Sequence, residues 1–253
     1  MRIATALCFS AVLCTVYAHN LQANYLDKTE LEIRATIWNV EGIIQNINRV
    51  RTEIEEDTIL TAAKKGWEQM NNHSEFVTLL LQSMRREVND AKQFKGVDAE
   101  HCYKTNSWSV KEHSNKAYKD ATECRENVET AIKKSLGFLD NFVSVGNDLL
   151  NQLNNIYVIC HDEDESKKQR CVLEEYAQIN KAVDQFERNA GSENIKNSVL
   201  PVSDNIVRNA AKCLTDVYVV ARFESYGAML SNSRCVREAV EKNYKQSFEL
   251  EEN

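Results

Sequence analysis

One proline and seven glycines serve a chain of 253 residues, and that scarcity does more than any motif to limit the fold. Tight turns and strand ends draw on Gly and Pro, so a β-rich chain of this length would need many more. Long helices joined by short turns need almost none. The expected architecture is all-α, an extended bundle of about six to seven helices with short turns.

Apolar periodicity places the helices. Ile33, Ile37, Val40, Ile44, Ile47, Val50 and Ile54 fall at steps of three and four, one stripe of a helix that Asp27 or Thr29 would cap. A second helix is expected over Asp57 to Met70, carrying Ile59, Leu60, Ala63 and Trp67. A third follows Asn71-Asn72-His73-Ser74, with Val77, Leu80, Met84, Val88 and Ala91 on one face, and stops near Lys95-Gly96. From Ala117 to Cys160 nearly one stripe persists, and Gly137 and Gly146 are the candidate breaks; one long helix and two shorter ones both fit. HDEDESKKQR between Cys160 and Cys171 reads as a charged loop. Val172, Tyr176, Ile179, Val183 and Phe186 form the next helix, ended by Asn189-Ala190-Gly191. After Pro201, with Ser203 or Asp204 as cap, Ile206, Ala210, Cys213, Val217 and Val220 form another; Ser231-Asn232-Ser233 interrupts it before a last short helix. Sustained three-four spacing also suits a coiled-coil dimer, but the interruptions favour a monomeric bundle.

The start of the chain reads as a secretory signal peptide over residues 1–18. Arg2 supplies the positive charge, Ile3 to Tyr17 is apolar or small apart from Thr5, Ser10 and Thr15, and Val16-Tyr17-Ala18 offers a cleavage site. A membrane-spanning helix needs about 20 continuous apolar residues, more than this stretch has, so no transmembrane anchor is expected. Cleavage would remove Cys8 and Cys14 and leave Cys102, Cys124, Cys160, Cys171, Cys213 and Cys235, an even number that reads as three disulfides in a secreted, extracellular protein. All six lie after residue 100, which suggests a cysteine-free region over 19–97 and a disulfide-linked helical domain over 98–253.

Cys102–Cys124 and Cys213–Cys235 share the spacing C-x21-C. On one helix each pair would be roughly 33 Å apart, beyond disulfide reach. Two antiparallel helices stapled as Cys102–Cys235 and Cys124–Cys213 would use the equal spacing and leave Cys160–Cys171. Hairpin symmetry about Ser192 offers Cys171–Cys213 instead; six cysteines allow fifteen connectivities, and sequence does not choose among them.

The balance of charge is acidic, −7 overall. That argues against nucleic acid, whose phosphates need clustered Lys and Arg, and against anionic membranes. Catalytic, metal-binding and cofactor motifs are absent. No serine sits in G-x-S-x-G, and phosphate-cradling loops need more glycine than the chain has. His19 would open the mature chain, where an amine and an imidazole can chelate copper; a solvated terminus is the plainer expectation. His73, His101, His113 and His161 lack metal-ligand spacing and are expected at helix ends or surfaces. His161-Asp162-Glu163-Asp164-Glu165 is acidic enough to attract Ca²⁺ but lacks the glycine and closing glutamate of a calcium loop, and Lys167, Lys168 and Arg170 follow at once. Trp38, Trp67 and Trp108 are expected in the core, with the lining of a ligand cavity as the other reading. Asn72-His73-Ser74 is a glycosylation sequon.

The layout C-x10-C-x41-C-x21-C from Cys160 to Cys235, with CLTDVYVVARFESYGAMLSNSRC inside it, resembles the insect secreted tsetse EP domain family. Tyr226 and Leu230 stand before the final cysteine as in that family's closing segment, and Ile206 to Cys213 is similar to its preceding Ala-rich helix. The chain lacks the family's cysteine just before Cys160 and has no Glu-Pro repeat. The resemblance implies an arthropod exported protein of gut, haemolymph or gland with an immune link, and no established activity. The expected function is therefore non-enzymatic binding of an extracellular macromolecule or surface, with carriage of small hydrophobic ligands inside the bundle as the alternative.

Overall fold

The structure is a computed structural model that describes the backbone of residues 2–251 and the side chains of residues 28–246. The expected signal peptide and His19 fall outside the described side chains. The fold is all-α. Five α-helices, α1 (Arg2–Lys95), α2 (Glu100–Ser135), α3 (Leu139–Ile159), α4 (Glu165–Ala190) and α5 (Ser192–Glu251), are joined by short turns, and a 3₁₀ turn, Leu136–Phe138, links α2 to α3. Among the described residues no helix is long and apolar enough to cross a membrane.

α1 takes in all three expected N-terminal helices, the caps expected at Asp27 or Thr29 and the turn expected at 71–74. Asn71, Asn72 and Ser74 face water and His73 faces inward, so a polar run that reads as a junction is simply the outer face of a continuing helix. The inner face here is Thr58, Ala62, Gly66 and His73, small or polar throughout, while Leu60 and Trp67, expected on it, are exposed. Gly96 ends the helix as expected. Its φ of 67° turns the chain so that Val97 N–H reaches back to the Ala91 carbonyl at 3.1 Å.

The stretch from Ala117 to Cys160 is two helices, and the break falls at Gly137, not at Gly146. Gly146 lies within α3, where a Cβ would come 2.7 Å from Ile44 Cγ1 and 3.0 Å from Phe186 Cζ, so it is the point of closest approach between helices. The charged loop shrinks to residues 161–164. Asp164 caps α4 by accepting from the Ser166 and Lys167 amides at 2.9 and 3.3 Å, and Asp162 accepts from Asp164 N–H at 2.8 Å.

α5 corrects two further expectations, since it runs through both Pro201 and Ser231-Asn232-Ser233. An internal proline costs roughly 3 kcal/mol. Burial of Ile195 and Val199 before it, and of Ile206 and Ala210 after it, holds the helix on either side. Asn232 is fully buried and its amide donates to Glu87, so it is a packing residue and not a stop.

Contacts divide the chain into two compact units, residues 1–53 with 136–200 and residues 54–135 with 201–253, so the expected division at 97/98 is not the one the packing follows. In the first unit α1 lies antiparallel to α3, with Arg51 bound to Asp140 at 2.5 Å and Ile44 against Gly146, and Thr36 meets Tyr176 of α4 at 3.0 Å. Cys160–Cys171 ties α3 to α4. In the second unit α1 and α5 run parallel: Thr58 pairs with Ser203, Gln69 with Thr215 and Glu87 with Ser233. α2 runs against both.

Candidate functional site

The second unit is stapled at two levels. Cys102–Cys235 and Cys124–Cys213 bond α2 to α5, the antiparallel pairing that the equal spacing allows, and with Cys160–Cys171 they leave no place for the rival Cys171–Cys213 pair. Each bridge sits in core. Cys102 packs with Val88, Ala91, Val97, Val236 and Val240, and Cys124 with Ala117, Ala121, Leu214, Tyr218 and Ala221. His101 Nε2 lies 3.4 and 3.5 Å from the Sγ atoms of Cys102 and Cys235. Sulfurs bonded to each other carry no thiolate, the form that ligates metals.

His73 corrects the expectation of a surface histidine. It is fully buried, ringed by Phe76, Tyr118 and Tyr218 with centroids 6.2, 5.6 and 4.9 Å away. Its Nε2 shares a hydrogen bond with Ser114 Oγ, and its Nδ1 makes none. Burial, and then the Arg222 cation, hold its pKa below the ordinary histidine value. Burial, then Tyr118, raise the Tyr218 phenol, which Arg125 partly offsets. Arg222 also stands 5.5 Å from the Phe76 ring centroid. A neutral histidine sealed among aromatics is a packing device with a pH response, not an open acid–base group. The other histidines meet expectation: His101 and His161 are exposed, and half-buried His113 pairs with Glu224 at 2.9 Å.

The sequon residue Asn72 is exposed and lines a small groove with Lys65, Gln69 and Arg222. A larger groove of about 520 Å³ lies between the ends of α1 and α5, floored by Ala91, Phe94, Val236 and Val240 and edged by charged side chains.

The tryptophans do not belong to the core. Trp38, Trp67 and Trp108 are 74, 58 and 64% exposed, and Trp67 edges a small pocket beside Met70 and Tyr118. Phe223 is 80% exposed. Sequence reasoning missed His73 and the outer row of α5. The second was discoverable, because Val219, Phe223, Tyr226 and Leu230 repeat at four-three-four beside a separate inner row. No family model, curated protein or solved structure matches the chain.

Proposed function

We propose that this chain is a secreted, non-enzymatic helical protein that binds a macromolecular partner in an extracellular fluid. The observation that carries the reading is aromatic surface left in water by a bundle whose own core and bridges are complete, above all Trp38, Trp108 and Phe223. Full burial of such a side chain is worth about 1.5–3 kcal/mol. Aromatic residues are enriched where proteins meet.

Export rests on the pattern of residues 1–18, and three bridges suit an oxidising compartment. The likeness of residues 160–235 to the tsetse EP family supports an insect fluid of gut or immune character. The non-enzymatic reading is supported by the enclosure of His73, the histidine with the shifted pKa, which has no exposed surface.

The test is expression of the full chain in insect cells. The medium is expected to contain a chain beginning at His19, and the labelled protein should shift to larger mass in gut fluid or haemolymph. The variants Trp38→Ser or Trp108→Ser should reduce that shift. A chain retained in cells, or one that migrates free in every fluid, overturns the reading.

The groove between the ends of α1 and α5 favours a second reading, carriage of a small hydrophobic ligand. Solvent extraction of the purified native protein followed by mass spectrometry separates the two: near-stoichiometric lipid supports the carrier.

A further inference from the structure

α5 is apolar on two sides. Its inner row, Leu214, Tyr218, Ala221, Ser225 and Ala228, is buried. Its outer row, Val219, Phe223, Tyr226 and Leu230, is 57, 80, 49 and 64% exposed. Steps of four, three and four are the a and d positions of a heptad, and at about 100° per residue the four side chains share a sector of about 60°. A lone exposed apolar residue needs no explanation, but four in one line do, even though the half-exposed Tyr226 also meets Phe76 edge-on with ring centroids 5.2 Å apart.

Gly227 lies beside this row. A Cβ there would meet nothing within 4 Å, so nothing inside the protein requires glycine, which weakens a helix interior relative to alanine. On the open side of a helix, a missing side chain lets a second backbone come close.

Charge frames the row. One heptad beyond it on either side stand Lys212 and Arg237, with Arg208 and Arg234 nearby, all exposed. None of the four makes an ion pair among the described residues. The seam positions next to the row, three residues from either end, are Asp216, exposed and also lining the α2–α5 groove with His113 and Lys116, and Ser233, held by Glu87. A second copy is a poor occupant. Parallel pairing sets Lys212 and Arg237 against themselves, and antiparallel pairing sets them against each other, so like charges meet in both. An anionic bilayer fits no better, since interfacial helices bury a broad apolar face and this chain carries a net charge of −7.

We infer that the outer row of α5 is a docking seam for one amphipathic helix of another protein, with two heptads of apolar a and d residues framed by Asp or Glu. The inference names the partner chemistry of the binder proposed above and rests on that reading.

Two fluorescent synthetic helical peptides test it, each with Leu at four successive a and d positions, one framed by Glu and the other by Lys one heptad beyond the outermost Leu on either side. Anisotropy with the full secreted chain is expected to show binding of the Glu peptide and at least about tenfold weaker binding of the Lys peptide. Phe223→Asp should weaken the Glu peptide at least about tenfold without changing the circular dichroism or melting of this exposed site. Gly227→Gln should also weaken it while the fold is kept. The inference is overturned by equal binding of both peptides, by no binding, or by indifference to Phe223→Asp. A concentration-dependent dimer, or binding to phosphatidylserine vesicles, that Phe223→Asp removes would overturn it too. If the peptides fail while the labelled chain still shifts in insect fluid, the seam falls and the binder stands; if both fail, both fall.

Discussion

The Nε2 of His73 lies 3.2 Å from the Oγ of Ser114, a hydrogen bond that joins α1 to α2 inside a wall of aromatic rings. Burial, and then the nearby Arg222 cation, favour the neutral form of the imidazole and hold its pKa below the ordinary histidine value.

That opposition gives the fold a pH response. The unfolded ring takes up a proton near pH 6.5, as a free histidine does to within about half a unit. The folded ring does so at lower pH, so its contribution is complete above the unfolded value and is lost as pH falls from there through the folded one. Urea unfolding at pH 7.5 and 5.5 is expected to give a lower midpoint at the acid value. His73→Phe, which suits the surrounding rings, should flatten the difference, and an unchanged slope in that variant would count against the account.

Close approach of helices in the first unit makes Gly146 sensitive. A Cβ there would overlap Ile44 and press on Phe186. Gly146→Ala is expected to cost about 1–3 kcal/mol in chemical denaturation. Gly137→Ala is the control, since a Cβ at Gly137 meets nothing within 4 Å.

Gly227 predicts the opposite sign. Gly227→Ala is expected to stabilise the chain by about 0.5–1 kcal/mol, seen as a raised melting temperature, because α5 gains a better helix former with no clash.

The buried amide of Asn232 relies on one carboxylate. Asn232 Nδ2 donates to Glu87 Oε2 at 3.0 Å, and Ser233 Oγ donates to the same group at 2.8 Å. Glu87→Ala should destabilise by about 1–3 kcal/mol, measured by thermal melting, as two donors lose their acceptor.

The bridges between α2 and α5 close loops with sequence separations of 133 and 89 residues, against 11 for Cys160–Cys171. Loop-closure entropy assigns about 5 kcal/mol to the longest and about 3 kcal/mol to the shortest. Paired replacement of Cys102 and Cys235 by Ala is therefore expected to lower the urea midpoint more than replacement of Cys160 and Cys171.

Where the sequence failed, it failed for one kind of reason. Asn71 to Ser74 reads as a turn because polar runs break helices in the absence of other information, yet three of the four simply face water. Thr58, Ala62, Gly66 and His73 form an inner face with no large apolar residue, so the apolar pattern points to Leu60 and Trp67, which the structure exposes. Pro201 reads as a helix start because the local cost is visible and the packing of Ile195, Val199 and Ile206 around it is not.

What the sequence determined by itself was the class of structure and little of its punctuation: helices throughout, a C-terminal cap at Gly96, two candidate breaks at Gly137 and Gly146, and an even set of six cysteines late in the chain. These follow from local backbone physics and from chain geometry, which a residue and its near neighbours express in full. Only the tertiary structure decided which bridge pattern forms, that the break falls at Gly137, that His73 is enclosed, that the tryptophans stand in water, and that α5 shows its second apolar row to the outside. Each depends on which helix lies against which. A helix with two apolar rows looks the same in sequence whichever row finds a partner, and burial, which depends on long-range packing, is what distinguishes the row that stabilises the fold from the row left for another molecule.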